Sequence, residues 1–219
     1  MANVALSTLR TRIRERSGLQ DTNVVSDSEL NTYINHSIAD LIDMVEKTDT
    51  DLYMTSATWT SDGSDAYSLP DDFYSLRGVE YQSGSNWYSM DKYTWENRNI
   101  RSISLPSVPY GYRVYGSNIG IIPTPSSGDV FRIWYIKLPD ILEQDTDTIN
   151  CYNSWDEFII VSSVIKCHEK MNDIEMVTTM YNQLSRITDR ITSSMTRRDV
   201  YRPERVNDVW SRDSEYWWR

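Results

Sequence analysis

The chain has 219 residues, 39% of them hydrophobic, and a net charge of -10. That length can bury a proper core in one domain plus an insertion, and the acidic balance argues against a protein that grips nucleic acid by neutralising phosphates. No run approaches the ~18 consecutive apolar residues of a membrane span, and Met1-Ala2-Asn3-Val4 lacks the basic and apolar regions of a secretion signal, so the expectation is a soluble protein made in a cytoplasm.

Leu6, Leu9 and Ile13 recur at helical spacing and Gly18 is placed to end the helix through a left-handed cap, which predicts a first helix from Val4 to Ser17. Arg10, Arg12, Arg14 and Arg16 make that helix basic. Ser26-Asp27-Ser28-Glu29 is a capping box: the serine hydroxyl accepts from the amide three residues on, and the glutamate reaches back to the serine amide. It starts a second helix, in which Leu30, Tyr33, Ile34, Ile38, Leu41, Ile42 and Val45 form one buried face and leave Asn31, Asn35, Asp40 and Asp43 for solvent.

From Leu52 the period shortens to two and turn residues become dense, as in Asp62-Gly63-Ser64-Asp65 and Ser83-Gly84-Ser85-Asn86. Strands are expected over 52–60, 66–69, 73–82, 86–91, 111–115, 118–122 and 129–137, with prolines at their edges, and one short helix over 94–101. Ser154-Trp155-Asp156-Glu157 reads as a second capping box, opening a face of Phe158, Ile159, Ser162 and Ile165 that runs to Met171. After a break at Asn172-Asp173, Ile174, Val177, Met180, Tyr181, Leu184, Ile187, Ile191 and Met195 form the face of another helix.

The expected fold class is α+β: a helical bundle from the N- and C-terminal helices, a central aromatic-rich antiparallel β insertion, and an extended C-terminal tail. The expected divisions are 1–50 (N-terminal helices of the bundle), 51–140 (β-rich insertion), 141–197 (C-terminal helices) and 198–219 (tail). The tail alternates charge with large aromatics, and so much apolar area in so short a segment points to docking on another protein, since aromatic and arginine anchors dominate interfaces. Folding back on its own domain is the competing reading.

No chemistry-bearing signature stands out. His36 and His168 sit within predicted helices, and Cys167-His168-Glu169 lacks the spacing of zinc ligands. Cys151 and Cys167, without a CxxC, read as reduced packing residues. Asp49-Thr50-Asp51, Asp145-Thr146-Asp147 and Asp71-Asp72 resemble fragments of calcium loops, but the central glycine and terminal glutamate do not follow. There is no GxxxxGK[ST], GxGxxG or GxSxG. The expectation is no catalytic residue, cofactor or metal. Trp87, Tyr88, Tyr93, Trp95, Tyr110, Tyr112, Tyr115, Trp134 and Tyr135 suit either cross-strand and subunit contacts or stacking on sugars or bases.

The short basic helix around Leu6-Ser7-Thr8-Leu9-Arg10, then Ser26-Asp27-Ser28-Glu29-Leu30-Asn31-Thr32-Tyr33-Ile34-Asn35, then Ser68-Leu69-Pro70-Asp71-Asp72-Phe73-Tyr74-Ser75-Leu76-Arg77, resembles the head-to-tail adaptor proteins of tailed bacteriophages. Ile119-Gly120-Ile121-Ile122-Pro123-Thr124-Pro125 and the helix pair from Trp155 agree in order, so the resemblance spans residues 4–196. It implies a structural, non-enzymatic virion protein of the phage neck, made in the host bacterial cytoplasm. It also implies a homo-oligomeric, dodecameric ring under the portal protein ring that extends the DNA ejection channel and carries tail or tail-tube (nozzle) proteins. DNA would pass through the lumen without specific binding, with no membrane involved. In that family a C-terminal extension commonly reaches into the portal, which here makes Arg198, Tyr201, Arg202, Arg205, Val209, Trp210, Tyr216, Trp217, Trp218 and Arg219 the expected docking residues. The rival expectations are a carbohydrate- or receptor-binding tail component and a tail-borne cell-wall hydrolase.

Overall fold

The computed structural model describes residues 2–47, 51–94, 96, 108–152 and 154–196. The fold is α+β. Its helices are α1 (Leu6–Ser17), α2 (Asp27–Glu46), α3 (Asp156–Lys170) and α4 (Ile174–Thr196). Its strands are β1 (Ala2–Ala5), β2 (Met54–Thr60), β3 (Ala66–Ser68), β4 (Phe73–Ser83), β5 (Asn86–Ser89), β6 (Asp91–Lys92), β7 (Gly111–Tyr115), β8 (Asn118–Ile122), β9 (Val130–Lys137) and β10 (Thr148–Cys151).

The first two helices follow their signals. Gly18 closes α1 with φ 70°, and the Ser26 hydroxyl accepts from the Glu29 amide at 3.2 Å. The expected face of α2 is buried, with Tyr33 packed against its margin. Asn35, expected in solvent, instead holds the backbone of Leu142 through a pair of hydrogen bonds of 3.0 and 2.9 Å. A polar side chain on a helix flank can thus be recruited by a neighbouring loop whose amide and carbonyl have no strand partner.

Three expectations are corrected. The first helix does not begin at Val4, because Ala2–Ala5 pairs antiparallel with Thr148–Cys151 and the helix starts only at Leu6. The second capping box does not form: Ser154 has φ 61° and Trp155 takes the cap position without a side-chain bond. Burial of Trp155, in edge contact with Tyr152, sets the chain's entry into α3 instead. The α3 face is wider than expected, since Phe158 through Ile165 are all buried together with Cys167 and His168. Packing of α3 against α1, α2 and α4 accounts for this, because a helix with neighbours on several sides has little polar face to show. The break at 172–173 is present, with Asn172 at φ 57°. On α4, Ile187, Ile191 and Met195 are buried as expected, but Ile174 and Tyr181 are 77% and 51% exposed.

A polar cluster ties α2 to α3. The Ser37 hydroxyl meets Ser162 and Ser163 at 3.1 Å each, and Lys166 Nζ reaches Ser37, Ser162 and Asp40 at 3.0 Å. Ser37 and Ser163 are fully buried. Ser37→Ala leaves buried hydroxyls short of a partner and is expected to cost about 1–3 kcal/mol, readable as a shift in urea midpoint at unchanged slope.

The strands form two four-stranded sheets, ordered β2-β9-β4-β5 and β3-β8-β7-β6, beside the two-stranded β1-β10 ribbon. The strand expected over 86–91 divides at Met90 into β5 and β6, one in each large sheet. The short helix expected over 94–101 lies almost wholly outside the described residues. Alternation along β9 sends Phe131, Ile133 and Tyr135 inward, where they share an apolar cluster with Val79, Met90, Tyr112, Ile119 and Ile121 from both sheets. A separate cluster joins all four helices, with Ile136, Leu142 and Ile149 supplied from the β side.

Candidate interaction surfaces

The basic character of α1 is spent inside the chain. Arg10 pairs with Asp145 and Asp27, Arg14 with Asp27 at 2.7 Å, Arg12 with Asp156 at 2.6 Å and Arg16 with Glu157 at 2.5 Å. Asp156 and Glu157 lie in the first turn of α3, where carboxylates also suit the positive end of the helix dipole. These arginines therefore orient α1 across the starts of α2 and α3 and do not form an open cationic patch. The sequence shows the charges; only the fold shows their partners.

The acidic clusters serve turns and neighbours in the same way. Asp147 accepts from the amides of Glu143 and Gln144, both at 2.8 Å, and these bonds hold its carboxyl below the usual range. Asp72 accepts from the Tyr135 hydroxyl at 2.8 Å. Asp51 faces Arg77 at 3.8 Å, while Asp49 and Thr50 lie outside the described residues. Among the described residues no group of three or more His, Cys, Asp or Glu side chains is placed to hold a metal ion, and no helix is long and apolar enough to cross a membrane.

Both histidines lie on helices, His36 on α2 and His168 on α3. His36 is on an exposed face of α2. His168 is buried, with Nδ1 3.2 Å from Asp173 Oδ2, yet neither ring nitrogen makes an aligned hydrogen bond. Cys151 and Cys167 are free and buried, and burial pushes their thiols up to about 12 and about 11, so both stay protonated and unreactive near neutrality.

Glu29 gathers a link between α2 and α3. It receives Lys170 at 2.6 Å and Tyr33 at 2.8 Å, and the Lys170 bond is the main cause of its lowered pKa, with Tyr33 next and the Ser26 amide a smaller contributor. A carboxyl held below its unfolded value adds stability above that value and loses it as pH falls through the folded one. Glu29 and Asp147 both have this sign. The urea midpoint is expected to hold near neutrality and fall below a pH of about 4. Glu29→Gln should lower the midpoint at pH 7, and its gap from the wild type should narrow as pH falls below about 4.

On the outward face of β9, Arg132 lies 4.1 Å from the Trp87 ring centre and 4.8 Å from that of Trp134. Glu80 binds the same guanidinium at 2.6 Å and the Trp134 indole N–H at 2.9 Å. Burial works against the Glu80 charge, but the Trp134 and Arg132 bonds outweigh it and hold its pKa below the ordinary value. On the inward side, Trp59 stacks on Phe131 at 5.4 Å. These tryptophans are engaged in cross-strand contacts within the chain. Outward aromatic surface remains at Tyr88, Tyr110 and Tyr115.

The family model described as SU10 adaptor protein matches residues 4–207. The chain belongs to that family. The resemblance to phage head-to-tail adaptors is thereby shown, and the adaptor is a structural protein of a phage virion. No curated protein matches the chain. The expected docking residues Arg198, Tyr201, Arg202, Arg205, Val209, Trp210, Tyr216, Trp217, Trp218 and Arg219 lie outside the described residues. The first four fall within the family match, and the other six lie beyond its end at residue 207.

Proposed function

We propose that the adaptor forms a dodecameric ring in the phage neck, under the portal ring, where it extends the DNA channel and presents a platform to tail or nozzle proteins. The observation that carries this reading is the family match over residues 4–207. In it, the helices of residues 1–50 and 141–197 make a bundle that packs side by side, residues 51–140 face the tail, and residues 198–219 dock in the portal. The protein is not an enzyme and meets DNA only in passage. A net charge of -10 suits a lumen in which phosphates are repelled and not held.

A ring needs two different surfaces on each subunit, one for each neighbour, and heterologous contacts of this kind close only if the rotation closes. The self-contained pairing of Trp59, Trp87 and Trp134 weakens the carbohydrate-binding alternative. The test is to mix the purified adaptor with the portal ring encoded in the same genome and image the product by cryo-electron microscopy. Rings stacked coaxially under the portal are expected; absence of association would move the protein to a distal tail position.

A further inference from the structure

Among the described residues, the β2-β9-β4-β5 sheet has two edges that pair with no further strand, and both are of unusual composition. A strand edge in a monomeric protein is normally blunted by charge, proline, a bulge or shortness, because its free amides and carbonyls invite another chain. Strand β2 is seven residues long, Met-Thr-Ser-Ala-Thr-Trp-Thr, with no charge and no proline. It pairs with β9 without a register shift; the irregularities of this sheet lie between β4 and β9. At the other edge, β5 reads Asn-Trp-Tyr-Ser, again uncharged and free of proline. The second sheet shows the ordinary protection, since its edges β3 and β6 are only three and two residues long.

The ladder shows which groups point out. Ser61 donates to the Asp129 carbonyl at 2.7 Å, and stepping back along the register gives Trp59, Ala57 and Thr55 to β9. Antiparallel bonding alternates, so the amides and carbonyls of Thr60, Thr58 and Ser56 turn away from the sheet, and all three residues are exposed. On β5, Met90 donates to the Val79 carbonyl at 2.9 Å, which assigns Tyr88 and Asn86 to β4 and turns Trp87 and Ser89 outward. Tyr88, 54% exposed, stands at this edge.

Strand parity identifies the occupant. Each neighbouring pair in the sheet is antiparallel and there are four strands, so β5 runs opposite to β2. The small rotation between neighbours in a ring preserves strand direction, and a copy placed edge to edge brings its β5 antiparallel to β2 with no strand reversed. The contact is heterologous, as closure requires. We infer that β2 of one adaptor subunit pairs with β5 of the next, joining the sheets of neighbouring copies into a continuous antiparallel band.

This rests on the ring reading above, and the experiment separates the two. Thr58→Pro removes an outward amide and spares every bond to β9, so the fold should survive where an edge proline is tolerated. Full-length Thr58→Pro, assembled with the portal ring, should melt like the wild type yet need at least tenfold more protein to form rings. In a second variant, Thr58→Cys with Ser89→Cys, a short bismaleimide should give a ladder of covalent multimers in assembled rings that neither single variant gives. The buried native thiols should stay silent. Wild-type rings accompanied by normal Thr58→Pro assembly and no ladder would overturn the pairing, while failure of the wild type to form rings would overturn the ring reading and this inference with it.

Discussion

Replacing Trp155 by alanine is expected to remove about 3–5 kcal/mol of folding stability, out of a total of about 5–15 kcal/mol for a typical protein. The side chain is 1% exposed and is the largest of the fully buried ones among the described residues. It belongs to the apolar cluster that joins all four helices, with Tyr152 against its edge at 5.4 Å. It also occupies the cap position of α3, so truncation opens a cavity where the chain turns from the β1-β10 ribbon into the central helix. The melting temperature should fall by roughly 6–20 °C, at about 2–4 °C for each kcal/mol in a chain of this size. Ile174→Ala is the matched control, because Ile174 is exposed and its loss should stay within about 0.5 kcal/mol. A Trp155→Ala protein as stable as that control would mean that the four helices do not share one core.

The contrast between α2 and α3 shows where sequence periodicity carries information. Helix α2 has the core on one side and solvent on the other, so Leu30, Ile34, Ile38, Leu41 and Val45 stand out at helical spacing. Helix α3 packs against three helices, and its Ile159-Ile160-Val161 run reads as a helix without revealing which side faces what. Strands β1 and β10 were hidden for another reason: each has four residues, and Ala2 finds its partner in Cys151, far along the chain. Short segments paired at that separation leave no local period.

The same distinction governs the functional surfaces. Arg10, Arg12, Arg14 and Arg16 are plain in the sequence, but their meaning changed once Asp145, Asp27, Asp156 and Glu157 proved to be their partners. Strand β2 was legible as a strand from its Thr-Ser-Ala-Thr-Trp-Thr composition. Its position at a sheet edge was not, because strand order is set by long-range pairing with β9 and local residues do not encode it.

Deleting residues 198–219 is expected to leave the fold intact and to weaken attachment to the portal sharply. Met195, 2% exposed, is the last of the described residues in the helical cluster, and the cut falls after it. If the tail serves docking alone, the melting temperature should match that of the full chain within about 1 °C, because a segment that packs on nothing in its own chain contributes little to stability. If Trp217 and Trp218 are buried anchors, each is worth about 2–4 kcal/mol, and Trp217→Ala with Trp218→Ala should raise the dissociation constant for the portal ring by about 10³-fold or more. The family match ends at residue 207, before Trp210, Tyr216, Trp217 and Trp218. A shorter deletion of 208–219 thus asks whether this chain's own terminal aromatics carry the affinity. Equal losses from the two deletions would place it there, and a loss from the longer deletion alone would assign it to Arg198, Tyr201, Arg202 and Arg205. If either truncation instead lowered the melting temperature by several degrees, the tail would be part of the folded core and the docking role would fail.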